Sequence, residues 1–417
     1  MPEARAPLLS LDEALARLLE VGARCRLAAT EDLPTVAALG RTLAADVRSA
    51  LDVPPADNTS MDGYALRCAD VPAPGTALPV SQRIPAGVVG TALQPGTLAR
   101  IFTGAQVPPG ADAVVMQEQC AVLEDGRVRV DAVPTAGQWI RRRGEDIATG
   151  AMVLAAGTLL TPQALGLAAS VGLPALTVLR RPRVALFSTG DELALPGEPL
   201  KPGAIYNSNR YTLTGLLQAA GCEVRDLGIV PDRLDATRQA LRDAAAGSDL
   251  ILTSGGVSVG EEDHLKPAMQ AEGRLDLWQV AIKPGKPLAF GAVRRSVGDG
   301  EALFVGLPGN PVSSFVTFLL AVAPLLRVMQ GRAPGGATDP RAGLPMRADF
   351  DWPRPDKRRE FLRVRVNERG GLELFPNQSS GVLTSTVWAD GLADIPPGQA
   401  VRAGESVRFL PMAGLLG

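Results

Sequence analysis

Four short loops in the middle of the chain carry residue types that could do chemistry. Ser188-Thr189-Gly190-Asp191-Glu192 sets two adjacent carboxylates after a glycine. Ser254-Gly255-Gly256-Val-Ser-Val-Gly260 is followed at once by Glu261, Glu262 and Asp263. Glycines let backbone N–H groups close on an oxyanion. The acids suit a hard cation such as Mg2+, which takes one or two carboxylates plus substrate phosphates. Lys283-Pro-Gly-Lys286-Pro287 places two lysines on one rigid loop, a compact positive site. Gly306-Leu-Pro308-Gly-Asn310-Pro311-Val-Ser313 leads into a helix, and a helix N-terminus attracts anions. Each loop alone reads equally as ordinary turn chemistry. The glycine loop is not GxGxxG, and Gly285-Lys286-Pro287 is not a Walker A ending. Together they supply what a Mg2+-phosphate or nucleotide-bearing ligand needs.

These loops require elements that end side by side. Between residues 180 and 331 strands alternate with helices. Strands are expected at Val184–Phe187, Val224–Val230, Leu250–Thr253, Leu277–Ile282, Leu288–Phe290 and Leu303–Val305, and helices near Asn209–Ala220 and Leu234–Ala246. A further helix starts with Asn310 as N-cap and Pro311 at its first position. Alternation of this kind means a mostly parallel α/β sheet, and ligands bind such sheets at the carboxyl ends of the strands. The four loops fall there.

The rest of the chain divides around this domain. Residues 1–44 with 141–179 are expected to form an N-terminal α+β domain, opened by an amphipathic helix with a Ser10/Glu13 capping box and Leu11, Leu15, Leu18 and Leu19 on one face. Residues 45–140 read as an inserted β-rich domain, with a hairpin turning at Asp125-Gly126. Its segments Asp57–Ala65 and Ile101–Ala105 read as exposed turns. Arg141-Arg142-Arg143 facing Glu145 and Asp146 reads first as a solvated salt-bridge network. Residues 332–417 open with a Pro/Gly-rich linker, Ala333–Gly343, and then read as a small β-barrel. There Leu362, Val364 and Val366 face one way and Arg363 and Arg365 the other.

Composition narrows the function class. The chain has 417 residues, 42 basic and 44 acidic, for a net charge of −2. This argues against a general nucleic-acid or polybasic membrane binder. One histidine, His264, and four scattered cysteines exclude a His/Cys zinc site and a CxxC motif. His264 is expected to pack beside the acidic loop. The N-terminus carries acids where a signal peptide would be apolar, and the apolar run Phe315–Leu326 is short for a bilayer span. A soluble, cytoplasmic protein is expected. Five lysines stand against 37 arginines, so two lysines in one loop suggest a place where arginine would not serve.

Taken in order, Pro55-x-x-Asn58-x-Ser60-Met61-Asp62-Gly63-Tyr64-Ala65, Thr103-Gly104-Ala105, Arg143-Gly144-Glu145-Asp146, Ser188–Leu193, Ser254–Gly260, Lys283–Pro287 and Gly306–Ser313 form a specific set. From about residue 8 to 411 the chain resembles the molybdopterin molybdenumtransferase family, MoeA in bacteria and the E domain of gephyrin in animals. The α/β domain alone would be shared with molybdopterin adenylyltransferases and CinA-type proteins. The resemblance implies conversion of adenylylated molybdopterin and molybdate to molybdenum cofactor and AMP, with Mg2+. It implies an elongated four-domain homodimer whose cleft lies between the α/β domain of one subunit and the inserted domain of the other. It also implies contact with a molybdopterin adenylyltransferase and with cofactor-accepting proteins.

Residue roles follow from the resemblance. Asp191, Glu192 and Asp263 are the metal and water-positioning candidates, and Asp232 serves the nucleotide side. Lys283, Lys286, Ser313, Arg363 and Ser380 form the oxyanion pocket. Ser188, Thr189, Gly190, Ser254, Gly255, Gly256, Pro308 and Pro311 shape the pterin site, and Asp62, Thr103 and Asp146 complete the cleft. The chain departs from the family at Gln279, where many members carry a basic residue. Gln378-Ser379-Ser380 replaces the more usual Gln-Gly-Ser. The competing readings are a cofactor-binding scaffold like gephyrin, a tungstate-inserting paralogue and a nucleotide hydrolase sharing only the α/β domain.

Overall fold

The structure, a computed structural model, describes residues 8–257, 264–295, 300–332 and 343–416. The fold is multidomain α/β, and the chain divides into two compact units. One covers residues 1–31, 40–42 and 178–417, the other residues 32–39 and 43–177.

The first unit opens with helix α1 (Leu11–Arg24). The expected capping box is present: the Ser10 Oγ accepts the Glu13 N–H at 3.2 Å, and the Glu13 carboxylate accepts the Ser10 N–H at 2.9 Å. Strands β1 (Arg183–Thr189), β2 (Glu223–Val230), β3 (Leu250–Ser254), β4 (Gly273–Gln279), β5 (Ile282–Lys283), β6 (Pro287–Arg294) and β7 (Glu301–Leu307) follow. Helices α2 (Ser208–Ala219), α3 (Leu234–Ala245), α4 (Leu265–Glu272) and α5 (Pro311–Met329) lie among and after them. The main sheet runs β2-β1-β3-β7-β6-β4. Pairings from β2 to β7 are parallel, and β6 and β4 join antiparallel at one edge.

Strand alternation divides the core between two faces. Val184, Leu186, Leu250 and Leu252 pack with α2 and α5. Ala185, Phe187, Ile251 and Phe304 pack with α3 and α4. The result is a three-layer sandwich. Leu11, Ala14 and Leu18 of α1 join the first of these cores, and Leu9 exchanges backbone hydrogen bonds with Gln279 and Ala281 at 2.9 and 2.8 Å. These contacts pack α1 against the α/β unit.

Helix α5 is longer than its apolar run suggests. It contains one π-helical stretch, Phe318–Val322, directly before Pro324. Proline has no N–H for the helical ladder, and a π-bulge absorbs such an interruption. With 19 residues the helix is long and apolar enough to cross a bilayer, but 94% of its most apolar window is buried inside the protein. It is the central core helix of this unit.

Strands β8 (Leu344–Arg347), β9 (Arg359–Val366), β10 (Leu372–Leu374), β11 (Gly391–Ile395) and β12 (Ser406–Pro411) make the C-terminal sheet. Its order is β5-β9-β11-β12-β8, with β10 beside β9, so β5 leaves the α/β segment to pair here. The sequence reading ran one strand through Leu277–Ile282. The chain instead breaks after Gln279 and gives Ile282 and Lys283 to the second sheet.

The second compact unit holds a four-stranded sheet (Val80–Ile84, Leu98–Ile101, Gly63–Leu66, Ala113–Met116) and a three-stranded one (Thr76–Leu78, Val128–Val130, Cys120–Val122). The Asp125-Gly126 hairpin forms as expected, with Gly126 at φ +81°.

Candidate functional site

Register brings the loops together. Ser188 of β1 pairs with Ser254 of β3, and Ser254 pairs with Leu307 of β7. The three strands therefore end level, and the loops at 189–192, 255–257 and 308–310 leave the sheet side by side. Strand β6 runs the other way beside β7, with Ala289 opposite Gly306. Its leading loop, Lys283–Lys286, is thereby delivered to the same edge.

A cleft of about 740 Å³ opens there. Thr189, Glu192, Ser254, Gly255, Lys283, Lys286, Pro308, Ser313 and Ser380 all line it. The glycines are required by space as well as by φ. Gly255 has φ +87°, and a Cβ there would meet the Thr189 carbonyl oxygen at 2.8 Å; at Gly256 it would meet Thr189 Oγ1 at 2.8 Å. Ser188 lies behind the wall, fully buried, with its Oγ 3.5 Å from Ser254 Oγ. Asp191 and Glu192 are exposed, and Asp191 Oδ1 accepts the Asp232 backbone N–H at 3.3 Å. Asp263 lies outside the described residues, as do Ser258–Asp263 as a whole. Among the described residues no cluster of three or more His, Cys, Asp or Glu side chains is placed to hold a metal ion. His264 caps α4, its carbonyl accepting the Ala268 N–H at 3.1 Å.

The helix at Pro311 begins where expected, but Asn310 makes no side-chain cap. The Ser380 carbonyl accepts the Val312 N–H at 3.0 Å instead. One of the unsatisfied N–H groups in the first turn of the helix is thus already taken by the 378–380 loop, which fastens that loop to α5.

Arg363 is more buried than alternation along its strand suggests. It lies opposite Leu362 and Val364 on β9, on the same face as Arg365, but Arg365 is exposed whereas Arg363 is 1% exposed. Its guanidinium donates to Ser385 Oγ at 3.2 Å and to the Phe361 and Ser379 carbonyls at 3.3 Å each. These acceptors are all neutral. Burial pulls its pKa down to about 10. A buried cation without an anionic partner is costly. Arg363 is not itself among the residues that line the cleft; it meets that lining through the Ser379 carbonyl. Lys283, in contrast, is ion-paired with Glu360 at 3.0 Å.

Asn207, Asn209, Arg358 and Gln378 also line the cleft, although no motif marks them. Asn207 is the N-cap of α2, and its Oδ1 accepts the Arg210 N–H at 3.1 Å. That bond fixes which way the amide faces, and leaves Nδ2 buried without an acceptor. An N-cap reading of Asn207-Ser208 would have found it. Arg358 sits in the basic run Lys357-Arg358-Arg359, a sequence signal too ordinary to single out.

Asp62, Thr103 and Asp146 lie in the other compact unit. Asp62 Oδ1 accepts both the Thr103 N–H at 2.8 Å and its hydroxyl at 2.7 Å, which lowers the Asp62 pKa. Asp146 is exposed. The arginines beside it do form ion pairs, but with Asp52 (Arg143, 2.5 Å) and Asp57 (Arg142, 2.6 Å). Burial raises the Cys222 thiol to about 12 and the Cys68 and Cys120 thiols to about 11, which makes these thiols poor nucleophiles.

Comparison with known proteins accounts for almost the whole chain. Residues 9–172 match the MoeA N-terminal region (domain I and II), residues 185–328 a probable molybdopterin binding domain, and residues 345–412 the MoeA C-terminal region (domain IV). A molybdopterin molybdenumtransferase of Haemophilus influenzae is 39% identical over 98% of this chain and 100% of its own. One from Nostoc is 36% identical over 92% of this chain and 89% of its own. The crystal structure of a molybdopterin biosynthesis MoeA protein from Pyrococcus horikoshii superposes with a TM-score of 0.81 at 30% identity, covering 97% of this chain and 99% of its own. The chain belongs to the molybdopterin molybdenumtransferase enzyme family.

Proposed function

We propose that the chain inserts molybdenum from molybdate into adenylylated molybdopterin, giving molybdenum cofactor and AMP. The observation that carries this reading is Arg363. It is a buried guanidinium with only neutral acceptors, next to a cleft lined by Lys283, Lys286 and Arg358. Such a site suits a tetrahedral dianion. The level ends of β1, β3 and β7 supply the other half, a glycine-walled surface that lets phosphates approach the backbone.

This arrangement supports the following roles. Lys286, Arg363 and Ser313 hold the oxyanion, while the 378–380 loop closes over it. Thr189, Ser254, Gly255 and Pro308 form the wall against which the pterin and its phosphates lie, with Ser188, Gly190, Gly256 and Pro311 behind them. Asp191 and Glu192 are two exposed oxygen donors, the set that suits Mg2+ arriving on substrate phosphates. When bound there, Mg2+ would supply neutralisation of phosphate charge. Asp232 steadies Asp191 through its N–H. Asp62, Thr103 and Asp146 act in a homodimer, and Asp263 is assigned to the metal site by resemblance alone. We place this activity in the cytoplasm, receiving substrate from a molybdopterin adenylyltransferase and passing product to cofactor-accepting proteins.

The test is AMP release from adenylylated molybdopterin with Mg2+, with and without molybdate and with tungstate as a separate arm. Molybdate-stimulated release together with active cofactor supports the reading. Release indifferent to molybdate overturns it.

A further inference from the structure

The ammonium of Lys283 lies beside a carboxylate that two other donors anchor. Lys283 Nζ lies 3.0 Å from Glu360 Oε1 and 3.6 Å from Asp356 Oδ2. Glu360 is 1% exposed, and its Oε2 accepts the Trp352 indole N–H at 2.9 Å and the Asp356 backbone N–H at 3.0 Å. The parallel pairing of β5 with β9 sets Lys283 directly opposite Glu360. Asp356 in turn grips Arg358, accepting Nε–H at 3.1 Å and Nη2–H at 2.9 Å. Two of the cations lining the cleft are therefore matched by two acids. Lys286, three residues along the same loop, has no carboxylate within ion-pair distance among the described residues.

We propose that Glu360 is a positioning residue for the oxyanion site: it fixes the Lys283 ammonium at the cleft wall and moderates its charge. This rests on the reading that the oxyanion enters this cleft. An ammonium at ion-pair distance from a buried carboxylate offers an incoming dianion a weaker field than a free one. Attraction that is equally strong before and during reaction tightens binding without speeding the chemical step. Glu360 thus leaves Lys286 to attract the dianion, while Lys283 supplies geometry.

The test is Glu360→Gln in the full chain. The glutamine carbonyl can replace Oε2 for Trp352 and Asp356, while its amide presents a donor to a donor at Lys283. Calorimetric titration with molybdate should show tighter binding by about three- to fivefold, the size of a partly exposed charge pair. Turnover at saturating molybdate should fall. In a Lys283→Met background the same change should no longer lower turnover, because no ammonium is left to position, whereas the carboxylate's own repulsion of the dianion persists there. A fall in turnover of equal size in that background overturns the proposal. So does a Glu360→Gln protein with unchanged molybdate affinity when Lys283→Met alone shifts it. If neither Lys283→Met, Lys286→Ala nor Glu360→Gln alters molybdate binding, the cleft reading itself fails. Should Glu360→Gln not fold, Trp352→Phe removes one anchor of the carboxylate. It should then shift affinity the same way by less, and no shift overturns the proposal.

Discussion

The Arg363 guanidinium donates to the backbone carbonyl of Ser379 at 3.3 Å, joining β9 to the loop that lines the cleft. This bond joins the largest fully buried side chain among the described residues to the loop whose next residue, Ser380, fastens the start of α5. Arg363→Met keeps the length and apolar volume of the stem but removes the charge. Hydrogen bonds to a charged group are worth about 1.5–3 kcal/mol. Activity at limiting molybdate should therefore fall by about ten- to a hundredfold. The thermal midpoint should move little, since the costly desolvation of the cation is relieved as its hydrogen bonds are lost.

Lys286→Ala should raise the molybdate concentration for half-maximal AMP release by about tenfold, as expected for loss of one charge-assisted contact. The circular dichroism spectrum should be unchanged, because the side chain is only partly buried and holds no carboxylate among the described residues. Molybdate dependence equal to that of the unaltered enzyme would remove Lys286 from the site.

Asn207→Ser separates helix capping from substrate contact. Serine caps α2 about as well as asparagine does and adds no buried charge, so the melting temperature should hold. The buried donor at Nδ2 is lost, and the Michaelis constant for adenylylated molybdopterin should rise about tenfold. Asn207→Ala should instead cost about 1 kcal/mol of stability. Equal substrate affinity in Asn207→Ser and the parent would show the amide to be a cap alone.

Asp52 ties down the segment that carries Asp146. It accepts the Thr149 N–H at 2.7 Å, the Arg143 Nε–H at 2.5 Å and the Thr149 hydroxyl at 2.9 Å, which hold its pKa at about 2. A carboxylate with a depressed folded pKa stabilises above its unfolded value and loses that contribution as pH falls through the folded one. Asp52→Asn should thus be less stable than the parent at pH 7, and the two should converge as the pH approaches 2. A stability difference that is constant with pH would contradict this.

Local signals were legible in the sequence and long-range pairings were not. The Ser10/Glu13 box, the Asp125-Gly126 turn and the helix start at Asn310-Pro311 depend on residues within a few positions of each other, and all three form. Four of the site loops could be placed together because parallel α/β sheets bring strand ends level. Arg363 was assigned to the correct face of β9 but not to its burial, because the cover comes from residues 379–385, which alternation along one strand cannot reveal. The partner of Lys283 lies 77 positions away, where only the β5–β9 pairing brings Glu360 opposite. The packing of α1 was hidden for the same reason: its leucine stripe shows that it packs, not against what.

The central claim is that this cleft couples oxyanion capture to release of the nucleotide. It is tested most directly by measuring AMP release from adenylylated molybdopterin and Mg2+ across a molybdate titration, for the parent and Arg363→Met side by side. The account predicts saturable stimulation by molybdate in the parent and a curve displaced to higher molybdate in the variant. Coincident curves, or release that ignores molybdate in both, would contradict it.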